Sequence, residues 1–334
     1  MKETVFPKWQ RIDENYTVGE VKNHPAFSDY RAYLLSSASN MKYNLDDVKL
    51  KDLKIIAPTW GIQDIIDGLN RLLELEEQKV KVAWDYWDDI DKQGDPKREN
   101  TKMLFFPSNK KNMPFALICA GGSYRTVAYM MEAFPVANRL NRLGYSAFVL
   151  SYRIGIENVL PDAIEDLAKA VRFVLQHAEL FRVQPKDYMI MGFSTGGHLA
   201  AEYGTDNFGY MNINLPKPAA LVLGYPLISF KYGKNFDSGF AQKSVYKNVS
   251  ARDIEITEHM SGKYPPVYFW QCVDDEVISI KNTEKLNERL NELDIPHVYK
   301  RIQKGGHGLG LGSGSEADGW VEDAVDFWMK QWKI

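Results

Sequence analysis

Cysteine is almost missing from this chain. Two occur in 334 residues, Cys119 and Cys272, each inside an apolar run. A disulfide framework is excluded, and two free buried thiols in a reducing cytosol are expected. No uninterrupted apolar run approaches the length that spans a bilayer, and the N-terminal MKETVFPKWQRIDENYTV lacks the apolar core of a secretion signal. A cytoplasmic location with no membrane partner follows as the expectation. Neither sign of charge is in excess: 41 Lys and Arg against 44 Asp and Glu leave a formal net charge of -3. That balance exerts no general pull on nucleic acid or anionic lipid and points to a small or neutral ligand. Internal repeats and low-complexity segments are also lacking.

What is present divides near residue 100. Residues 1–100 are polar and helix-leaning, a candidate cap or an arm building a homo-oligomer. Ile62, Ile65, Ile66, Leu69, Leu72 and Leu73 recur there at helical spacing, and KVKVAWDYWDD alternates enough to suggest a strand. Across residues 101–334, short apolar runs alternate with helix patterns: MLFFP, FALICAGG, SAFVLSYR, DYMIMGFS, AALVLGYP and VYFWQCV. The clearest helix is PDAIEDLAKAVRFVLQHAELF, with Pro161 suited to a first turn. Strands apolar throughout and separated by helices predict an α/β fold with a mostly parallel sheet covered on both faces. Residues 229–264 break the alternation and read as a small cap-like insertion.

The strongest motif is Gly192-Phe193-Ser194-Thr195-Gly196-Gly197, a G-x-S-x-G between the strand run DYMIMGF and the helix-compatible HLAAEY. A serine on a sharp strand-to-helix turn is held in a strained backbone that exposes its hydroxyl at the carboxyl edge of the sheet. Glycines at 192 and 196 remove side chains that would collide with the neighbouring strand and helix. Free N–H groups at the start of that helix suit a developing oxyanion. Ser194 is therefore the candidate nucleophile. The loop after FALICA supplies small residues where a peptide N–H must approach a substrate carbonyl. Gly122 or Ser123, together with Thr195, are the candidate oxyanion donors, and the adjoining Tyr124 is a candidate substrate contact.

A serine of this kind needs a base and an acid, in the chain order serine, acid, histidine. Of the six histidines, His307 fits best: KGGHGLGLG is a glycine-rich loop between the strand-like HVYKRIQ and the final helix pattern. His198 reads as a packing histidine at a helix start, His177 as lying within a helix, and His297 as opening a strand. The acid should follow VYFWQCV, where Asp274, Asp275 and Glu276 stand together. Chemistry alone does not separate the three.

These residues resemble the esterase/lipase branch of the α/β-hydrolases that includes acetyl-xylan-esterase-like and feruloyl-esterase-like proteins. The resemblance covers about residues 103 to 334 and lies in separate motifs: CAGGSY, Pro161 to Asp166, GFSTGGHLAA, GYPLIS, PPVYFWQCVDDEVISIKN and GGHGLGLG. In that acid loop the catalytic aspartate precedes a valine-rich turn, which selects Asp275. The resemblance implies a serine esterase that needs no cofactor and acts on short acyl groups, notably acetyl, on sugars. Trp60, Trp84, Trp87 and Tyr124 are aromatics able to stack on a pyranose face, though most of the tryptophans are expected in the core. Ala120 and Ser123 replace a proline and a glycine of the family loop. Thr195 stands where alanine is usual and should narrow the site. Gln271-Cys272 replaces a common histidine-glycine or histidine-threonine pair. A prolyl-oligopeptidase-like peptidase would share the elbow but bring a propeller for which the first hundred residues are too short. A non-catalytic hydrolase-like receptor would be expected to lose a triad member.

Overall fold

A computed structural model describes residues 9–34, 45–155, 157–232 and 254–332. Eight strands form one sheet: β1 (Ala83–Trp84), β2 (Lys102–Phe106), β3 (Phe115–Cys119), β4 (Ser146–Ser151), β5 (Met189–Phe193), β6 (Ala220–Gly224), β7 (Val267–Cys272) and β8 (His297–Ile302). Their order is β1-β2-β4-β3-β5-β6-β7-β8. β2 is antiparallel to both of its neighbours, and all pairings from β4 to β8 are parallel. Every residue of β3 to β7 is buried, as a parallel sheet covered on both faces demands.

The order places the functional edge. β4 lies on one side of β3 and β5 on the other, so the chain reverses its direction of travel across the sheet at this point. Loops leaving the carboxyl ends of β3 and β5 part there and leave a crevice, the usual ligand position in an open α/β sheet.

Among the described residues six helices reach nine residues or more: α1 (Ile62–Glu77), α2 (Phe134–Leu143), α3 (Val159–Gln176), α4 (Ser194–Glu202), α5 (Lys281–Glu292) and α6 (Trp320–Trp332). The apolar stripe expected for α1 is buried, and Gly68 lets it lie against Phe134 and Pro135 of α2, where a Cβ would come within 3.0 Å. The described part of the first hundred residues shares the main apolar core, through Ile12, Val18, Phe27, Leu50 and the α1 stripe.

Two local expectations need correction. KVKVAWDYWDD pairs only at Ala83–Trp84, because Asp88 caps a helical turn at Asp89–Gly94 by accepting the Asp91 N–H at 2.8 Å. His177 does not sit inside one helix but at a break between α3 and the turn Ala178–Phe181. Of the cap-like insertion, residues 233–253 lie outside the described residues. Its described flanks are the short turns Phe230–Tyr232 and Ile256–His259, joined where Ser229 donates to Glu255 at 2.7 Å.

One buried ion cluster ties the N-terminal segment to the sheet. Arg153, just past β4, has a side chain 3% exposed, beside an Asp166 carboxyl that is fully buried in α3. Asp166 accepts the Arg153 backbone N–H at 2.6 Å and its Nε at 3.0 Å, while Trp87 Nε1 donates to the same carboxyl at 2.8 Å. The guanidinium also meets Asp95 and Glu165, each at 2.6 Å. Burial pushes the Asp166 carboxyl up to about 6, with the guanidinium opposing the shift. Removing the cation while leaving this carboxylate in the interior is costly. Arg153→Ala is expected to destabilise the fold by about 3–5 kcal/mol in urea unfolding, far more than a surface ion pair is worth.

Candidate active site

β5 delivers Ser194. The strand is extended up to Phe193, and the next residue flips to φ 53° as α4 begins. This left-handed conformation is strained for a residue with a Cβ and persists only where the surroundings impose it. They do so through close packing. A Cβ at Gly192 would collide with the Gly196 carbonyl, and one at Gly196 would collide with the carbonyl of Cys119 in β3. The elbow can therefore sit between two strands and a helix only with glycine on both sides. Ser194 itself is 7% exposed.

The loop after β8 brings His307 to it. Gly305, Gly306, Gly308 and Gly310 all have positive φ, a path few side chains tolerate, and it carries the imidazole back over the sheet edge. His307 Nε2 lies 3.0 Å from Ser194 Oγ, and Nδ1 lies 2.8 Å from Asp275 Oδ2. Asp275 is 2% exposed and tightly held. Its Oδ1 accepts the N–H groups of Val277 and Ile278 at 2.9 Å each, and Oδ2 also accepts Gln271 Nε2 at 3.1 Å. Tyr225 stands edge-on to the His307 ring at 4.9 Å.

The neighbouring Asp274 has a separate task. Its carboxylate accepts the N–H of Gly305 at 3.0 Å and of Gly306 at 2.9 Å, pinning the base of the histidine loop. These two donors hold its pKa below the usual carboxylate range. The loop is thus pinned at every pH above that range and loses the contact only as pH falls through the lowered value.

The loop after β3 faces the serine. Gly121 packs so near that a Cβ there would stand 2.7 Å from Ser194 Cβ. Its N–H is already taken by Glu132 at 2.6 Å and is not available to a ligand. Gly122 has φ +136°, Ser123 φ 58° and Tyr124 φ 57°. Among the described residues no backbone acceptor takes the N–H of Gly122, Ser123 or Thr195.

Tyr124 is turned into the interior instead of toward the crevice. It is 1% exposed, and its hydroxyl shares a 2.9 Å hydrogen bond with His198 Nδ1. Burial lowers the His198 pKa to about 3, so that imidazole is a neutral packing partner. Trp87 is spent on Asp166, and Trp84 bonds the Lys81 carbonyl. Trp60 remains. It is half-buried beside the histidine loop, where Gly308 faces Trp60 Nε1 and Gly306 faces Thr59.

Sequence reasoning overlooked Glu132 and Tyr225. Glu132 does carry a signal, because it is the only charged residue in AYMMEAFPVA. A charge inside an apolar run marks either a turn to solvent or a buried carboxyl with donors.

Eight strands in this order, with a serine on the β5 elbow meeting a histidine from the loop after β8, have the arrangement of the α/β-hydrolase fold. A family model, BD-FAE, matches residues 103–219, about a third of the chain. Among curated relatives, endo-1,4-beta-xylanase B of Butyrivibrio fibrisolvens is 27% identical over 219 residues, which are 61% of this chain and 34% of that protein. The acetylxylan esterase of Xylanibacter ruminicola is 25% identical over 222 residues, 63% of this chain and 44% of its own length. The chain thus spans less than half the length of either. Among solved structures, the acetyl ester-xyloside bifunctional hydrolase from Caldicellulosiruptor lactoaceticus superposes with a TM-score of 0.63 at 25% identity, over 74% of this chain and 95% of that one. The carboxylesterase Cest-2923 from Lactobacillus plantarum shares the fold, with a TM-score of 0.60 at 23% identity over 69% of this chain and 92% of its own. No described helix is long and apolar enough to cross a membrane.

Proposed function

We propose that this chain is a serine carboxylic-ester hydrolase that removes short acyl groups, acetyl above all, from sugars or oligosaccharides. The observation that carries the reading is the unbroken hydrogen-bond path from Ser194 Oγ through His307 to Asp275, at 3.0 and 2.8 Å. Along it, His307 Nε2 takes the serine proton as Oγ attacks the ester carbonyl. Asp275 keeps the proton of the imidazole on Nδ1 and stabilises the imidazolium that forms. The N–H groups of Thr195 and of Gly122 or Ser123 receive the oxyanion. Collapse expels the alcohol, which takes its proton from Nε2. Water, deprotonated by the same imidazole, then attacks the acyl-enzyme and releases the acid and the free serine.

The sugar part of the proposal is supported by the relatives' names and by Trp60. Trp60 stands beside the loop that carries His307, the group that protonates the leaving alcohol in this reading, and an indole there can stack on a pyranose face. Trp60→Ala is expected to raise KM for acetylated xylo-oligosaccharides about three- to tenfold, the scale of one lost aromatic contact. p-Nitrophenyl acetate, with no sugar ring, should be hydrolysed as before. The substrate class is tested by acetate release from acetylated xylo-oligosaccharides against p-nitrophenyl esters of rising chain length. The reading requires acetyl to lead the series. A preference for long acyl chains, with acetylated sugars inert, would overturn the substrate assignment and leave the esterase assignment standing.

A further inference from the structure

A carboxyl with no place in the triad lies directly beneath the site. Glu132 belongs to the single wide helical turn Tyr129–Ala133 that leads into α2, and it is 4% exposed. Its Oε2 accepts the Gly121 N–H at 2.6 Å, and its Oε1 accepts the Tyr225 hydroxyl at 3.0 Å. That hydroxyl in turn accepts the Gly310 N–H at 3.0 Å. One carboxyl therefore joins three stretches far apart in the chain: the loop after β3, the end of β6 and the histidine loop. It does so next to the serine, for a Cβ added at Gly121 would lie 2.7 Å from Ser194 Cβ and 3.1 Å from Glu132 Oε2.

Burial of this group has a cost that packing alone does not explain. Neither donor is a cation, and burial pushes its pKa upward. The loop it holds is costly as well: Ser123 and Tyr124 follow one another in the left-handed region, directly after Gly122. Strained backbone of this kind survives where outside contacts impose it, and such contacts cluster at functional sites, as do single wide turns within helices.

We propose that Glu132 and Tyr225 form a positioning clamp for the ester-hydrolase reaction. The carboxylate fixes the oxyanion loop through Gly121 and, through the Tyr225 hydroxyl, sets the histidine loop at Gly310. The oxyanion donors and the base are thereby held in register with Ser194. Neither residue touches substrate, and both act through the loops they hold. The proposal rests on the esterase reading given above.

Glu132→Gln, Tyr225→Phe and the double variant in the full chain test it. A glutamine can accept at only one of the two positions. Its NH2 would face either the Gly121 N–H or a tyrosine hydroxyl that then lacks an acceptor. Misplacement of this order should lower kcat about 30- to 300-fold in Glu132→Gln and about 5- to 20-fold in Tyr225→Phe, with KM changing less than about threefold. The double variant should match Glu132→Gln, since the tyrosine acts through the carboxylate. Affinity for a trifluoromethyl ketone, which forms a tetrahedral adduct with the serine, should fall in step with kcat. Affinity for the product alcohol should not change. That split separates positioning from general destabilisation, which thermal unfolding monitors in parallel. If Glu132→Gln does not fold, Tyr225→Phe, which deletes one hydroxyl, decides the question alone. Near-normal kcat in a folded variant, or equal losses in ketone and product binding, would overturn the clamp. Ser194→Ala in the same assay keeps the two readings apart: an inactive Ser194→Ala beside a fully active Glu132→Gln removes only the clamp.

Discussion

Ser194→Ala is expected to lower kcat/KM for an acetyl ester by roughly 10⁵- to 10⁶-fold, the loss seen when the nucleophile of a three-residue unit is removed. The methyl group leaves nothing for His307 Nε2 to deprotonate, and the 3.0 Å contact disappears. Residual turnover would come from the oxyanion donors and substrate binding alone, with water as nucleophile. Stability should hold or rise slightly. The strained φ of 53° is imposed by Gly192, Gly196 and the strands around them, none of which the substitution alters. The loss should not be additive with His307→Ala, because either change alone disables the same proton transfer. Hydrolysis of p-nitrophenyl acetate by the purified variants measures both effects.

Asp275→Asn should cost about 10⁴-fold in kcat with little change in KM, and the reason lies in the donors around it. Val277 and Ile278 both present N–H groups to Oδ1, so the amide oxygen of an asparagine must occupy that position. The amide NH2 then points at His307 Nδ1 and at Gln271 Nε2, where the carboxylate now accepts at 2.8 and 3.1 Å. Turning the amide over would oppose two backbone donors instead of one, a worse outcome. Facing a donor, Nδ1 must become an acceptor, and the ring proton moves to Nε2. The histidine then presents N–H to Ser194 and cannot take its proton. A pH series of kcat/KM for wild type and Asp275→Asn checks this, together with an unfolding curve showing the variant intact.

The same contrast runs through what the sequence reveals. The strands of the sheet are legible because continuous burial writes continuous apolar runs, as in FALIC and MIMGF. The elbow and the histidine loop are legible because they need glycine, and glycine at fixed offsets from a serine or histidine is a local pattern. Contacts made across the fold leave no such trace. Asp274 and Asp275 are adjacent and chemically identical, yet one faces the imidazole and the other binds the N–H groups of Gly305 and Gly306. Only the direction of each side chain at the end of β7 separates them, and resemblance rather than residue chemistry supplied the choice. Tyr124 reads as a loop aromatic near the site, but the left-handed backbone turns it inward onto His198. Trp87, another candidate for stacking, is drawn into the interior by a carboxylate in α3. Glu132 reaches Gly121 and Tyr225 from eleven and ninety-three positions away, a convergence that no spacing rule encodes.

Whether Ser194 is the activated nucleophile is read out by a fluorophosphonate probe followed by peptide mass spectrometry. The expected result is one adduct per chain, on the peptide holding Ser194, absent from Ser194→Ala and formed at least about a thousandfold more slowly in His307→Ala. Stoichiometric labelling of another residue, or undiminished labelling of Ser194 without the imidazole, would contradict it.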